Sequence, residues 1–229
     1  MGLKVQPKIG IEIEFAMDIE ILKAKLDARG IKYLFVENPR LITNEVAPSE
    51  GTFHVETPAE RRLLARGRSK KSSTEVLVVK PDRSVGEYDG WELNFPPTYT
   101  WEDIERILKI LESCSPIFPE KAALHIHVDT YLLSRYNIEQ IHKYYYTNQE
   151  NILDEAKAAN MYIDLNEPLP ADLEEVTTRK TNLNIKNAMR RHNTIEHRIY
   201  KSTMKVEEIR WCVDHTLSII YKALETELL

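Results

Sequence analysis

The sequence predicts an α+β fold built on one antiparallel sheet. Four segments, at 8–15, 90–95, 123–129 and 194–200, alternate apolar side chains with Glu, His or Arg, and amphipathic helical stretches lie between them. Successive side chains of an extended segment point to opposite faces, so each segment offers an apolar face to be packed by helices and a polar face to line a cavity. At 229 residues and 42% hydrophobic composition the chain can bury a sizeable core, and a single domain over 1–229 is expected.

Composition narrows the function classes. A formal net charge of −5 argues against a general nucleic-acid binder, which needs positive charge to displace counterions from phosphates. The two cysteines, Cys114 and Cys212, make neither a disulfide framework nor a spaced zinc set. No apolar run approaches the ~18–20 residues that span a bilayer, and the N-terminus lacks the apolar core of a secretory signal. A soluble, cytoplasmic protein with no membrane partner is the expectation.

Along the chain, Gly10-Ile11-Glu12-Ile13-Glu14-Phe15 opens the sheet, with Ile11, Ile13 and Phe15 on one face and Glu12 and Glu14 on the other. Asp18 can cap a helix carrying Ile19, Leu22 and Leu26, which Gly30 stops, and Ile31 to Val36 returns to strand character. From Asn38 to Ser73 the sequence is irregular and proline-interrupted. Its basic run of Arg61, Arg62, Arg66, Arg68, Lys70 and Lys71 reads as a mobile surface loop at about 57–73, or as a lid over an anionic ligand.

Thr74 to Lys80 reads as a strand, Asp82 to Ser84 as a turn, and Gly90 to Phe95 as a second alternating strand with Glu92 and Asn94 on its polar face. Thr100 with Asp103 resembles a capping box for a helix running to about Cys114. Ala123 to Asp129 places His125 and His127 on one face, and a helix containing Tyr144, Tyr145 and Tyr146 follows. Residues 161–176 read as an irregular connection, and 177–193 as a polar, basic stretch. Thr194 to Tyr200 puts Glu196 and Arg198 on one face, after which Ser202 or Thr203 caps a closing helix whose apolar positions include Val206, Ile209, Val213, Leu217, Ile220 and Leu224.

If the polar faces converge, Glu12, Glu14, Glu92 and Glu196 meet with only Arg198 and two neutral histidines to offset them. Such a cluster is costly unless its carboxylates protonate or bind cations. Carboxylates with one imidazole suit Mg²⁺ or Mn²⁺, and Mg²⁺ shares its sphere with phosphate oxygens, so a nucleoside triphosphate such as ATP is the expected co-ligand. Arg198 would suit a transferring phosphoryl group. Each part has a bland reading when taken alone: Glu12 and Glu14 as a solvated sheet face, Glu196 with Arg198 as a cross-strand ion pair.

The order Gly10-x-Glu12-x-Glu14, Asp82-x-Ser84 leading to Trp91-Glu92-Leu93-Asn94-Phe95-Pro96, His125-x-His127 and Thr194-Ile195-Glu196-x-Arg198 resembles the amidoligase family. That family belongs to the carboxylate–amine ligase superfamily, with glutamine synthetase and glutamate–cysteine ligase. The resemblance spans about residues 8 to 203 through short motifs. It implies a glutamine synthetase-like half-barrel sheet holding ATP and two or three Mg²⁺. By position it implies that Glu12 and Glu14 ligate different metals, that Glu92 joins Glu14, and that His125 and Glu196 complete the site of Glu12. His127 would lie near the phosphates, Arg198 on the γ-phosphate, and Asp82 and Ser84 in the nucleotide pocket. The basic residue between the His motif and the last strand could be Arg179, Lys180, Arg190 or Arg191, with Arg179 preferred. Ala123-Leu124 stands where such ligases often carry Gly, and the Asp82 segment is shorter than in glutamine synthetase.

The resulting expectation is an ATP-dependent ligase joining a carboxylate and an amine through an acyl phosphate, the substrates being an amino acid, a peptide or a modified macromolecule. Three rivals remain on the sequence. A metal-dependent hydrolase or deaminase would use His125 and His127, although only about a hundred residues follow that pair to build a barrel. A guanidino-kinase-like phosphotransferase would transfer phosphate without forming an amide. A non-catalytic protein would bind RNA or a peptide through the basic segments at 61–71 and 179–191.

Overall fold

The structure, a computed structural model, describes residues 7–36, 76–86, 89–131, 133–156, 181–185, 188 and 194–225. The loop expected at about 57–73, the connection at about 161–176, and Arg179, Lys180, Arg190 and Arg191 lie outside them. Seven strands, β1 (Ile9–Ala16), β2 (Tyr33–Phe35), β3 (Leu77–Pro81), β4 (Gly90–Phe95), β5 (Ala123–Asp129), β6 (Leu183–Asn184) and β7 (Thr194–Lys201), form a sheet in the order β2-β3-β4-β1-β5-β7-β6. The pairs β1–β4, β3–β4, β5–β7 and β6–β7 are antiparallel and β2–β3 is parallel. Four helices are described, α1 (Ile19–Ala28), α2 (Trp101–Glu112), α3 (Arg135–Glu155) and α4 (Val206–Glu225), and the fold is α+β as expected.

The chain groups into two compact units. One comprises Met1–Gly10, Ala123–Thr203 and Glu207–Leu229, the other Ile11–Ala122 and Met204–Val206, so that β1 contributes its first two residues to one and the rest to the other.

In the second unit the register builds an apolar face row by row. Phe35 pairs with Val79, Val79 with Leu93 and Leu93 with Ile13, and all four side chains are buried. The alternate rows carry the polar residues: Lys80, Glu92 and Glu14 in one, and Asn94 and Glu12, beside Val78, in the next. Helix α1 starts where Asp18 accepts the backbone N–H of Glu20, and it ends before Gly30, whose φ of +64° is a left-handed turn that a Cβ would strain. The ammonium of Lys23 sits 4.5 Å over the Phe35 ring, which leans on Trp91 at 5.4 Å. Thr100 and Asp103 form the expected capping box at the start of α2, whose Ile104, Ile107, Leu108 and Leu111 are buried.

In the first unit, Val128 pairs with Ile195 and Ile126 with His197 on the apolar side, while His127, Glu196 and Asn184 form a polar row across β5, β7 and β6. Between Leu124 and Ile126 the register shifts, because two steps on β5 span three on β7, from His197 to Tyr200. The extra residue is a bulge, and it reverses the phase of the strand beyond it. Strict alternation would leave Tyr200 beside Glu196 and Arg198; instead its hydroxyl meets Thr216 Oγ1 at 2.8 Å and His215 Nδ1 at 3.1 Å on α4. Helix α3 opens with a capping box of Ser134 and Asn137, and its Tyr145 packs edge-on to His197 at 5.6 Å.

Helix α4 does not begin at Ser202 or Thr203. It opens at Val206, and the Thr203 hydroxyl donates at 2.7 Å to the carboxylate of Glu208, inside the first turn. Leu217 and Leu224 are not among the buried residues of this helix; Thr216 and Ala223 take the facing positions, one residue earlier in the helical phase. Both cysteines are buried free thiols, and among the described residues no helix is long and apolar enough to cross a membrane.

The register makes Ile13 a pillar of the apolar face and Thr100 a local device. Urea unfolding should therefore show Ile13→Ala losing ~2–5 kcal/mol of stability and Thr100→Ala only ~1 kcal/mol; comparable losses would contradict this packing.

Candidate functional site

Polar side chains gather on the sheet as two groups, one in each unit. The first centres on Glu196, which is 4% exposed and so needs strong local compensation for its charge. Its Oε1 accepts from Arg198 Nη1 at 2.9 Å and lies 3.4 Å from His125 Nδ1 and 4.0 Å from His127 Nε2. Its Oε2 accepts from Asn184 Nδ2 at 2.7 Å. The short strand β6 holds Asn184 directly opposite Glu196, and the carbonyl of Asn182 accepts the backbone N–H of Arg198. Gly10 matters through close approach: a Cβ there would stand 3.3 Å from Cβ of His127, so glycine lets that imidazole lie against the first strand.

Among the described residues, Arg198 is tethered through Nη1 to Glu196. Its Nε–H is buried and has no hydrogen-bond partner among the described residues. A planar guanidinium held at one corner with donors to spare is suited to an incoming carboxylate or phosphate. His197, the next residue after Glu196, has the opposite fate: fully buried on the helix side, its imidazole is pushed down to about 3 by desolvation, then by His215 and His127, and is neutral.

The second group lies on β1, β3 and β4. Glu92 Oε1 receives both the Lys80 ammonium at 2.8 Å and Asn94 Nδ2 at 2.7 Å. Its carboxyl also hydrogen-bonds Glu12. Burial first, then repulsion from Glu12, raises Glu92 to about 8 against the opposing pull of Lys80, so the two carboxyls share a proton. For Lys80, burial disfavours the charge, but Glu12 and Glu92 outweigh it and hold the ammonium above its ordinary value. Glu14 is buried in the same row as Glu92 and Lys80.

Asp82 and Ser84 form an Asx turn, in which Asp82 Oδ1 accepts from the backbone N–H of Ser84 at 2.8 Å and from its hydroxyl at 2.7 Å. The turn leads into β4, with the N–H of Asp82 donating to the carbonyl of Gly90.

Within their own units, therefore, His125, His127, Glu196 and Arg198 come together, as do Glu12 and Glu92, with Glu14 opposite Glu92 in its row. Arg179 lies outside the described residues. Sequence reasoning did not single out Lys80 or Asn184 as members of the site. Their polar alternation was legible, but the partners they meet are set by cross-strand register. As donors, the Glu196 carboxylate and the imidazoles beside it offer ligand chemistry for a divalent ion such as Mn²⁺, Mg²⁺ or Zn²⁺, and Arg198 and Asn184 orient the carboxylate. Comparison of the chain with protein-family models, curated proteins and solved structures finds no match.

The protonated state of Glu92 has a pH signature. Its folded pKa of about 8 lies above the unfolded carboxyl value of about 4.3, so only the folded protein keeps that proton across the interval between them. Its contribution to stability therefore declines as pH rises through that window. Urea titrations should find Glu92→Gln gaining stability relative to wild type on going from about pH 5 to about pH 8; a constant difference would refute the assignment.

Proposed function

We propose that the protein is an ATP- and Mg²⁺-dependent carboxylate–amine ligase with a glutamine synthetase-like half-barrel catalytic fold. The observation that carries this reading is the Glu196–Arg198 pair, in which a buried carboxylate anchors a guanidinium at 2.9 Å and leaves its Nε–H unspent. His125 and Glu196 would hold a divalent ion. When bound, that ion supplies charge neutralisation for phosphate oxygens.

The remaining work falls to the chain's own groups. Arg198 binds the γ-phosphate and neutralises charge that develops as phosphate passes to the substrate carboxylate. His127, beside Glu196, lies near the phosphates. Asn184 fixes the rotamer of Glu196, and so the aim of Arg198. Asp82 and Ser84 shape the turn at the nucleotide pocket, and Arg179 is the preferred basic residue between the His motif and the last strand. The acyl phosphate formed in this way is attacked by an amine, giving amide, ADP and phosphate. The acid and amine are amino acids, peptide ends or groups on a modified macromolecule.

The imidazoles of His125 and His127, 3.4 and 4.0 Å from one carboxylate, also favour a second reading, a zinc-dependent hydrolase, because imidazole beside carboxylate is zinc-ligand chemistry. Tightly bound Zn²⁺ in the purified protein would mark it.

The full-length protein with Mg²⁺, ATP and pooled amino acids should release ADP and yield an amide detectable by mass spectrometry. Glu196→Gln and Arg198→Met should each lower ADP release by about 10²-fold or more. Absence of Mg²⁺-dependent ATP binding by calorimetry for the folded protein would sink the ligase reading.

A further inference from the structure

We infer that Lys80 is a built-in cation of the carboxylate group on β1, β3 and β4, and that it takes the place of one of the divalent ions this group would otherwise attract. The register puts Lys80, Glu92 and Glu14 in a single row across three neighbouring strands, with Asn94 and Glu12 in the next row. Side chains in one row share a face and stand close enough for direct contact. Glu92 Oε1 is already engaged twice, by Lys80 at 2.8 Å and by Asn94 at 2.7 Å, and the carboxyl is hydrogen-bonded to Glu12. A ligand oxygen for Mg²⁺ would have to give up these bonds, and the incoming ion would stand beside a fixed ammonium of like charge.

The ammonium is not a wandering surface charge. The Lys80 side chain is 30% exposed, its carboxylate partner 9%. A lysine at the end of β3 meets Glu92 because the two are paired residues of adjacent strands, a relation set by the backbone and not by side-chain choice. Glu92 is therefore a positioning residue that holds Lys80 at 2.8 Å and is hydrogen-bonded to Glu12. The divalent ion that Glu196 would hold with its imidazole neighbours does not need Glu92 as a ligand. The inference rests on the ligase reading only in that the chain binds at least that ion, and it lowers by one the metal count that the resemblance to carboxylate–amine ligases implies.

The test is Mn²⁺ binding to the full chain without nucleotide, followed by equilibrium dialysis with metal analysis and by the paramagnetic resonance of free Mn²⁺. Lys80→Met should bind one more Mn²⁺ than wild type, or bind its weakest ion about tenfold or more tightly. Lys80→Arg, which keeps the charge, should behave as wild type, and Lys80→Met with Glu92→Gln should lose the additional ion. Glu92→Gln alone should leave the wild-type count unchanged, a check independent of whether Lys80→Met folds. An unchanged count and affinity in folded Lys80→Met, or a count lowered by Glu92→Gln alone, overturns the inference. ADP release is scored separately: a ligase whose metal count ignores Lys80 refutes this inference alone, whereas a Lys80-dependent count without Mg²⁺-dependent ATP binding refutes the ligase reading alone.

Discussion

The burial of Glu196 is the constraint on which the site depends. A carboxylate removed from water is tolerated only where its oxygens are met by donors or cations, and here Arg198 and Asn184 donate directly while two imidazoles face the same oxygen. Satisfying it requires three strands in register. Strand β7 carries the acid, β5 brings the histidines, and β6, only two residues long, brings Asn184 opposite it. Besides burying Leu183 in the core, this short strand delivers that amide.

The same economy governs the other unit. Glu12, Glu14 and Glu92 project from adjacent strands because alternation leaves them no other face, and their apolar neighbours Ile13 and Leu93 are fully buried on the opposite side. Three acids on one face would repel; a lysine in the same row and a shared proton relieve the repulsion. The apolar rows thus fix the sheet, and the sheet in turn forces the polar rows into contact. Stability and site chemistry are two consequences of one register.

The bulge in β7 shows how a single inserted residue divides the labour of a strand. Before it, the strand sends Glu196 to the polar side and His197 to the helices. Beyond it, Tyr200 joins the helix side, where its hydroxyl meets Thr216 and His215 and where Trp211 stacks on His215 at 4.8 Å. Site and helix anchor are thereby carried on eight consecutive residues, Thr194–Lys201.

Local chemistry made much of this protein legible from its sequence. The two-residue period of Ile11 to Phe15 assigns faces without knowledge of any partner, and Asp18, Gly30 and the Thr100–Asp103 pair mark helix ends through bonds a few residues long. The same period named Glu12, Glu14, Glu92, His125, Glu196 and Arg198 as residues of a polar face. Tertiary structure decided what those residues meet. That Lys80 faces Glu92, that Asn184 reaches Glu196, that Tyr200 turns away from Arg198, and that α4 begins at Val206 all follow from cross-strand register and packing between distant segments. Alternation fixes the side of a strand to which a residue points, because that is set by its own backbone. It carries no information about which residue of another strand lies opposite, because that depends on how the whole sheet aligns.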